Sequence, residues 1–263
     1  MAYFTRDGLR LAYDDIRPPA DEAGVALLVH GFATNRDENW RRLGWMTAFE
    51  RKGWRTVALD LRGSGESDKP HDPGLYDRDA MAFDIVALMD HLNLGRVDLM
   101  GYSMGAHLAL AATLAQPDRI ANLILGGIGK RPSQESGSAS PAKMTMSEAM
   151  RAEDVSTITD RTLRGFRQFA DNQGEDRLAL AACSESAGTA LEMEDLGRIA
   201  APTLLVAGAM DEIAGDPQPV ADIIPGAKCV VLPGCDHFSA IPHALFKAAV
   251  FDFLEGWLDE DLP

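Results

Sequence analysis

Ser103 is the first residue in this chain whose setting suggests chemistry. It sits in Gly101-Tyr102-Ser103-Met104-Gly105, directly after the apolar run Val97 to Met100 and directly before the helix-forming run Ala106 to Ala112. A strand that turns sharply into a helix strains its central residue and lifts that residue's hydroxyl above the sheet. The flanking positions of such a turn are crowded and tolerate only residues without side chains, a need that Gly101 and Gly105 meet. The following helix aims its positive end at the hydroxyl, so negative charge growing on a bound carbonyl oxygen is favoured there, with the backbone N–H of Met104 as a donor. The chemistry implied is nucleophilic attack on a carbonyl carbon.

An unassisted serine hydroxyl is a poor nucleophile at neutral pH, and it needs a histidine to take its proton and a carboxylate to orient that histidine. Six histidines compete. His237 lies in Gly234-Cys235-Asp236-His237-Phe238, just beyond the last apolar run, Cys229 to Leu232, and before a C-terminal helix. The others have plainer settings: His30 in a His-Gly turn, His71 in a Pro-rich loop, His91 near a helix end and His107 on the helix after the serine. His243 stands beside Pro242 at a helix start, where capping or solvated roles are common. For the carboxylate, the run Thr203 to Ala207 leads into Gly208-Ala209-Met210-Asp211, which puts Asp211 at the carboxyl end of a strand, where open α/β sheets gather binding groups. Glu212 is the adjacent rival, and Asp236 is directed elsewhere because neighbouring side chains rarely face each other.

These residues need a scaffold that brings distant segments together. The chain opens with a ribbon, Tyr3 to Arg6 and Leu9 to Tyr13, turning at Asp7-Gly8. Continuously apolar runs at Val25 to Val29, Thr56 to Leu59, Val97 to Met100, Leu123 to Leu125 and Thr203 to Ala207 read as parallel strands buried on both faces. Helical patterns cover roughly Arg41 to Lys52, Asp77 to Leu92 and Met104 to Gln116, the last stopped by Pro117. Near the end, Phe246, Val250, Phe253 and Trp257 form an apolar stripe at helical spacing, read as core packing. Strand and helix alternation predicts a mostly parallel, eight-stranded, doubly wound α/β sheet.

The alternation breaks after Gly129. The Ser-, Pro- and Gly-rich stretch Arg131 to Pro141 reads as a mobile linker, and Met144 to Glu153, Ser156 to Ala170 and Glu175 to Ser186 read as short helices with no strands between them. Two units are therefore expected: a core of residues 1–129 and 202–263, and a helical cap, or lid, of residues 130–201. The cap carries Met144, Met146, Met150, Leu163, Phe166 and Phe169, an apolar set suited to a small or medium acyl group. Arg164 and Arg167 are expected to face solvent, the alternative being that one of them faces the cavity and favours a carboxylate-bearing substrate through a charge-assisted pair.

Composition narrows the partners. With 46% hydrophobic and 25% charged residues, the 263-residue chain has a globular balance. A net charge of −15, from 25 Lys+Arg and 40 Asp+Glu, repels phosphate backbones and anionic lipid, so neither nucleic acid nor membrane is an expected partner. The first ten residues lack an apolar core, and no apolar run approaches a membrane span, so no export signal or span is read. Cys183, Cys229 and Cys235 lack the spacing of a zinc site and fit free thiols in a reducing cytoplasm. A monomer or homodimer acting on a small-molecule ester is expected, with no metal and no organic cofactor.

His30-Gly31-Phe32, the segment Asp60-Leu61-Arg62-Gly63-Ser64-Gly65-Glu66-Ser67, Gly101 to Gly105, Asp211 and His237 together make the chain similar to the α/β-hydrolase superfamily over nearly its whole length. Their order is the family's. The resemblance implies that Phe32, after the His-Gly pair, donates a second oxyanion-hole amide beside that of Met104, and that Arg62 is structural. It implies a catalytic triad of Ser103, Asp211 and His237, and a substrate pocket at Gly31, Phe32, Tyr102, Phe166 and Phe238. Serine at the nucleophile position separates the chain from haloalkane dehalogenases and epoxide hydrolases, which use aspartate. The implied activity is that of a serine carboxylesterase-type hydrolase working through an acyl-enzyme.

Rival readings use the same residues. A carbon-carbon bond hydrolase of the meta-cleavage type often carries an Asn after the His-Gly loop, partly matched by Asn39-Trp40, and a Trp after the catalytic His, where this chain has Phe238. Lactonase and thioesterase activities need no different triad, and a non-catalytic small-ligand binding module is the rival of another class.

Overall fold

The computed structural model describes residues 1–19, 22–130, 144–186 and 193–259. Strands β1 (Ala2–Arg6) and β2 (Leu9–Ile16) pair antiparallel across Asp7 and Gly8, whose positive φ angles of 51° and 78° close the expected tight turn. The remaining strands are β3 (Gly24–Val29), β4 (Trp54–Leu59), β5 (Val97–Tyr102), β6 (Ile120–Gly126), β7 (Thr203–Gly208) and β8 (Lys228–Leu232). They form an 8-stranded sheet in the order β1-β2-β4-β3-β5-β6-β7-β8. β2 meets β4 antiparallel, and every pair from β4 to β8 is parallel.

Eight helices accompany the described strands: α1 (Trp45–Arg51), α2 (Arg78–His91), α3 (Met104–Ala115), α4 (Met146–Arg151), α5 (Arg161–Gln173), α6 (Arg177–Glu185), α7 (Gln218–Ala221) and α8 (Ala244–Leu254). Because side chains alternate along a strand, each central strand feeds two cores. Leu27, Leu99 and Leu123 pack with α2 and α3 on one face, while Leu28, Met100 and Ile124 pack with α1 and α8 on the other. This is the doubly wound α/β arrangement.

Three local expectations are corrected. The segment read as one helix from Arg41 to Lys52 is a π-helical turn, Asp37–Arg41, followed by α1. The two are separated at Gly44, whose φ of 75° a right-handed helix does not accommodate. The C-terminal stripe is core only in part: Phe246 and Val250 are buried, but α8 stops at Leu254 and Trp257 is 62% exposed. The helices between β6 and β7 start later than their apolar pattern suggested, because Thr145, Asp160 and Asp176 accept bonds from first-turn amides and set the starts of α4, α5 and α6.

The segment between β6 and β7 is helical where described. Met150, Phe166, Ala170, Leu180 and Ala181 form a small core together with Ala33 from the loop after β3, so this helical segment packs against the carboxyl end of that strand. The serine-rich linker read at Arg131 to Pro141 lies outside the described residues. Among the described residues no helix is long and apolar enough to cross a membrane.

Candidate active site

The turn after β5 has the strain that the sequence implied. Ser103 has φ 54° and ψ −118°, an unfavourable region for a residue with a side chain. The crowding is equally direct: a methyl on Gly101 would collide with the Gly105 carbonyl, and one on Gly105 would collide with the Val29 carbonyl. The Ser103 N–H donates to the Gly126 carbonyl at 2.8 Å, which ties the turn to the neighbouring strand. Met104 opens α3, so its N–H has no partner within the helix.

His237 arrives from the loop after β8 and Asp211 from the loop after β7. Ser103 Oγ lies 3.0 Å from His237 Nε2, and His237 Nδ1 lies 2.8 Å from Asp211 Oδ2. The other carboxylate oxygen of Asp211 accepts the N–H groups of Ile213 at 3.0 Å and Ala214 at 2.8 Å, fixing its plane. His237 and Asp211 are buried. Their neighbours are engaged elsewhere: Glu212 is exposed, and Asp236 accepts from the Phe238 and Ser239 amides.

Tyr102 is an addition to what its sequence position suggested. Its hydroxyl donates to the backbone carbonyl of His237, and its ring centroid is 5.4 Å from the imidazole. Burial pushes the phenol far above its ordinary range, so the hydroxyl keeps its proton. Room for both rings comes from Gly127, at φ 60°, where an added Cβ would meet Tyr102 Cζ at 2.9 Å and His237 Cε1 at 3.1 Å. The residue before the serine thus holds the loop that carries the imidazole.

Four of the remaining histidines have partners away from Ser103. His30 is fully buried; its Nε2 accepts the Leu61 N–H at 3.0 Å and its Nδ1 donates to the Gly31 carbonyl at 2.8 Å, an assignment that follows from the partners' roles. Burial pulls its pKa down and keeps the ring neutral, as that pattern of one donor and one acceptor requires. His91 meets the Tyr13 hydroxyl, His71 meets Asp176, and His243 caps α8. Arg62 makes a two-pronged contact with Asp84 at 2.6 and 2.7 Å, the structural role implied for it.

Ser103 and His237 open onto a cavity of about 240 Å³ whose walls include Gly31, Phe32, Tyr102, Phe166 and Phe238. Met104 lines a second cavity of about 570 Å³, which shares Phe32 and Phe166 with the first. Sequence reasoning missed Gln173 as a wall residue, since its position at the end of α5 is set by packing that no local motif reveals. It weighed Asn39 only as a partial match to one rival reading, yet Asn39 also lines the first cavity, and its buried Nδ2 has no hydrogen-bond partner among the described residues. Arg167 is corrected: it is 4% exposed and donates to the Ala149 and Ala152 carbonyls and to Asp171, so it faces neither solvent nor substrate space.

Known proteins extend the picture. A family model described as alpha/beta hydrolase fold matches residues 25–189. A Bacillus subtilis (strain 168) protein named as a candidate 2-succinyl-6-hydroxy-2,4-cyclohexadiene-1-carboxylate synthase is 26% identical over 269 residues, spanning 94% of this chain and 96% of that protein. The Pseudomonas putida 2-hydroxy-6-oxononadienedioate/2-hydroxy-6-oxononatrienedioate hydrolase 2 is 29% identical over 280 residues, spanning 94% and 92%. The solved structure of a thermophilic esterase from Thermogutta terrifontis is 27% identical, covers 97% of each chain and has a TM-score of 0.73.

Proposed function

This chain belongs to the alpha/beta hydrolase family, and from that premise we propose that it is a serine hydrolase that cleaves a carboxylic ester of small to medium acyl size. The observation that carries the reading is the unbroken line from Asp211 through His237 to Ser103 Oγ, with spacings of 2.8 and 3.0 Å, ending at a cavity wall. In the proposed cycle Ser103 Oγ bonds to the ester carbon while His237 Nε2 takes its proton, and the Phe32 and Met104 amides hold the oxyanion. The carbon–oxygen bond to the alcohol then breaks, and Nε2 returns the proton to the leaving oxygen. Water repeats both steps on the acyl-enzyme and releases the acid, leaving Ser103 protonated again. Asp211 keeps the imidazole in the tautomer that presents Nε2 as the base. The three unpaired cysteines support a reducing compartment such as the cytoplasm.

The test is labelling by a fluorophosphonate together with hydrolysis of p-nitrophenyl acetate, butyrate and octanoate, with Ser103→Ala as control. Labelling and turnover that vanish in the control are expected. Their absence from the parent protein would favour a ligand-binding module.

A second reading, hydrolytic cleavage of a carbon-carbon bond, has one specific observation in its favour. Asn39, which that reading singles out, lines the cavity beside Ser103 and His237, with its unpartnered Nδ2 buried behind the wall. Faster turnover of a vinylogous 1,5-diketone than of any ester would favour it. Lactones and thioesters would follow the ester route with a different leaving group.

A further inference from the structure

Two cavities flank the residues assigned to the oxyanion hole, and they differ in what they can touch. The smaller, about 240 Å³, contains His237 and Phe238 in its wall. The larger, about 570 Å³, is lined by neither, and instead is bordered by Met104, Met146, Leu163 and Ile213. Phe32 and Phe166 belong to both, and their rings meet edge to face at 6.0 Å, forming a partition between the two spaces.

The reaction itself assigns contents to these spaces, on the premise of the serine mechanism proposed above. A tetrahedral intermediate on Ser103 has three other substituents: the oxyanion, the leaving oxygen and the acyl carbon. The leaving oxygen must lie within hydrogen-bond reach of His237 Nε2, because that nitrogen returns the proton to it. Its alcohol therefore extends into the cavity walled by His237 and Phe238. The oxyanion faces the Phe32 and Met104 amides, which leaves the acyl chain directed away from the imidazole, past the side chains of those same residues.

We propose that the larger cavity is the acyl subsite, reached past the Phe32–Phe166 pair, and that the preferred substrate is an ester joining a medium-chain, uncharged acyl group to a small alcohol. Met104, Met144, Met146, Leu163 and Ile213 give this space an apolar strip along which an alkyl chain can lie, beside the polar Thr162 and Ser184, and unbranched Met side chains adapt to its shape. Asp160 and Glu212 also border this space, so an acyl chain ending in its own carboxylate would meet like charge there. Phe166 lies on α5, apart from the strand ends that hold Ser103 and His237, and its ring also meets Phe238 at 5.7 Å.

Two isomers that exchange the long and short halves, ethyl octanoate and octyl acetate, provide the test. The parent protein is expected to cleave ethyl octanoate with at least tenfold higher kcat/KM. Leu163→Trp, which fills the larger cavity, should lower that ratio about tenfold, and Thr162→Phe, from the rim of the same cavity, should lower it in the same direction. Because each protein is compared with itself on two esters, a partly unfolded preparation leaves the ratio intact. Equal turnover of the isomers, a preference for octyl acetate, or a ratio untouched by both variants would overturn the assignment while leaving the hydrolase reading standing. Faster cleavage of a monoethyl ester of a C8 dicarboxylic acid than of ethyl octanoate would overturn the uncharged part. Failure to cleave either isomer, with no fluorophosphonate labelling, would bring down the hydrolase reading and this assignment with it.

Discussion

Two sets of buried polar contacts, each built around aspartates, can be compared. In one, Arg36 bonds to Asp14 and Asp60, Asp60 also accepts the Arg36 and Glu66 amides, and Arg62 grips Asp84 and the Leu75 carbonyl. Every one of these charged groups ends on a protein partner. In the other, Asp211 accepts two amides and the imidazole, but the line then runs to Ser103 Oγ, which borders empty space. Burial strengthens electrostatics in both places. What separates scaffold from candidate chemistry is whether the last group in the line is closed by protein or left facing a cavity.

The sharpest way to break this contrast is to truncate the open line. Ser103→Ala and His237→Ala are each expected to lower kcat by roughly a thousandfold or more, while thermal unfolding moves by no more than about 2 °C. Steady-state kinetics beside a melting curve checks both halves. A His237→Ala protein with near-normal turnover would remove the distinction altogether.

The closed network should answer in the opposite currency. Arg62→Met leaves the fully buried Asp84 carboxylate without its main partner, at a cost of about 3–5 kcal/mol. Urea titration should show a lower midpoint, while turnover per folded molecule stays within about threefold. Adding Asp84→Leu to that variant removes the stranded charge and should recover much of the loss, since apolar replacement of a buried pair is often close to neutral. No recovery in the double variant would mean that shape, not charge, is what the pair supplies.

Tyr102 sits between the two categories and so sharpens the comparison. Its hydroxyl ends on a backbone carbonyl, as in a closed network, but that carbonyl belongs to His237. Tyr102→Phe keeps the ring in its slot beside Gly127 and removes only the hydroxyl. A roughly tenfold fall in kcat with KM nearly constant is expected if the hydroxyl sets the imidazole's position, together with about 1 kcal/mol of lost stability. Lost stability with unchanged kcat would put Tyr102 with the closed network.

How much of this was legible from the chain alone depended on whether a feature is local. The strand-turn-helix around Ser103 is local, and its glycines, apolar run and helix formers sit side by side; the structure brings Asp211 and His237 to it from strand ends that apolar runs had already marked. Helix starts in the insertion were harder, because a cap such as Asp160 is a single polar side chain beside an apolar pattern that blurs across it. Arg167 was misread because a cation next to apolar residues usually snorkels to water. Here two carbonyls at the end of α4, distant in sequence, make burial affordable. The Trp257 misreading has a different origin: periodicity continues past the point where Gly256, at φ 79°, turns the chain away.

The smallest effect concerns the seam between insertion and core. Glu175, in the link from α5 to α6, accepts from Asn35 Nδ2 at 2.7 Å and from the Gly65 N–H at 3.0 Å, so a buried carboxylate joins the insertion to two core loops. Burial raises its pKa above the ordinary glutamate value, outweighing the Asn35 and Gly65 bonds and the nearby Lys69, while Asp60 adds to the rise. The folded protein therefore holds this proton more tightly than the unfolded chain does. The stabilisation that follows is complete below the ordinary glutamate range and is lost as pH rises through the raised folded value. Glu175→Gln cannot ionise and escapes that loss, so its melting temperature relative to the parent should be higher at pH 8 than at pH 4 by about 2 °C. A difference of the opposite sign would mean that the two donors hold Glu175 as an anion after all, which would make the seam a charged clasp and place it with the closed network around Arg36.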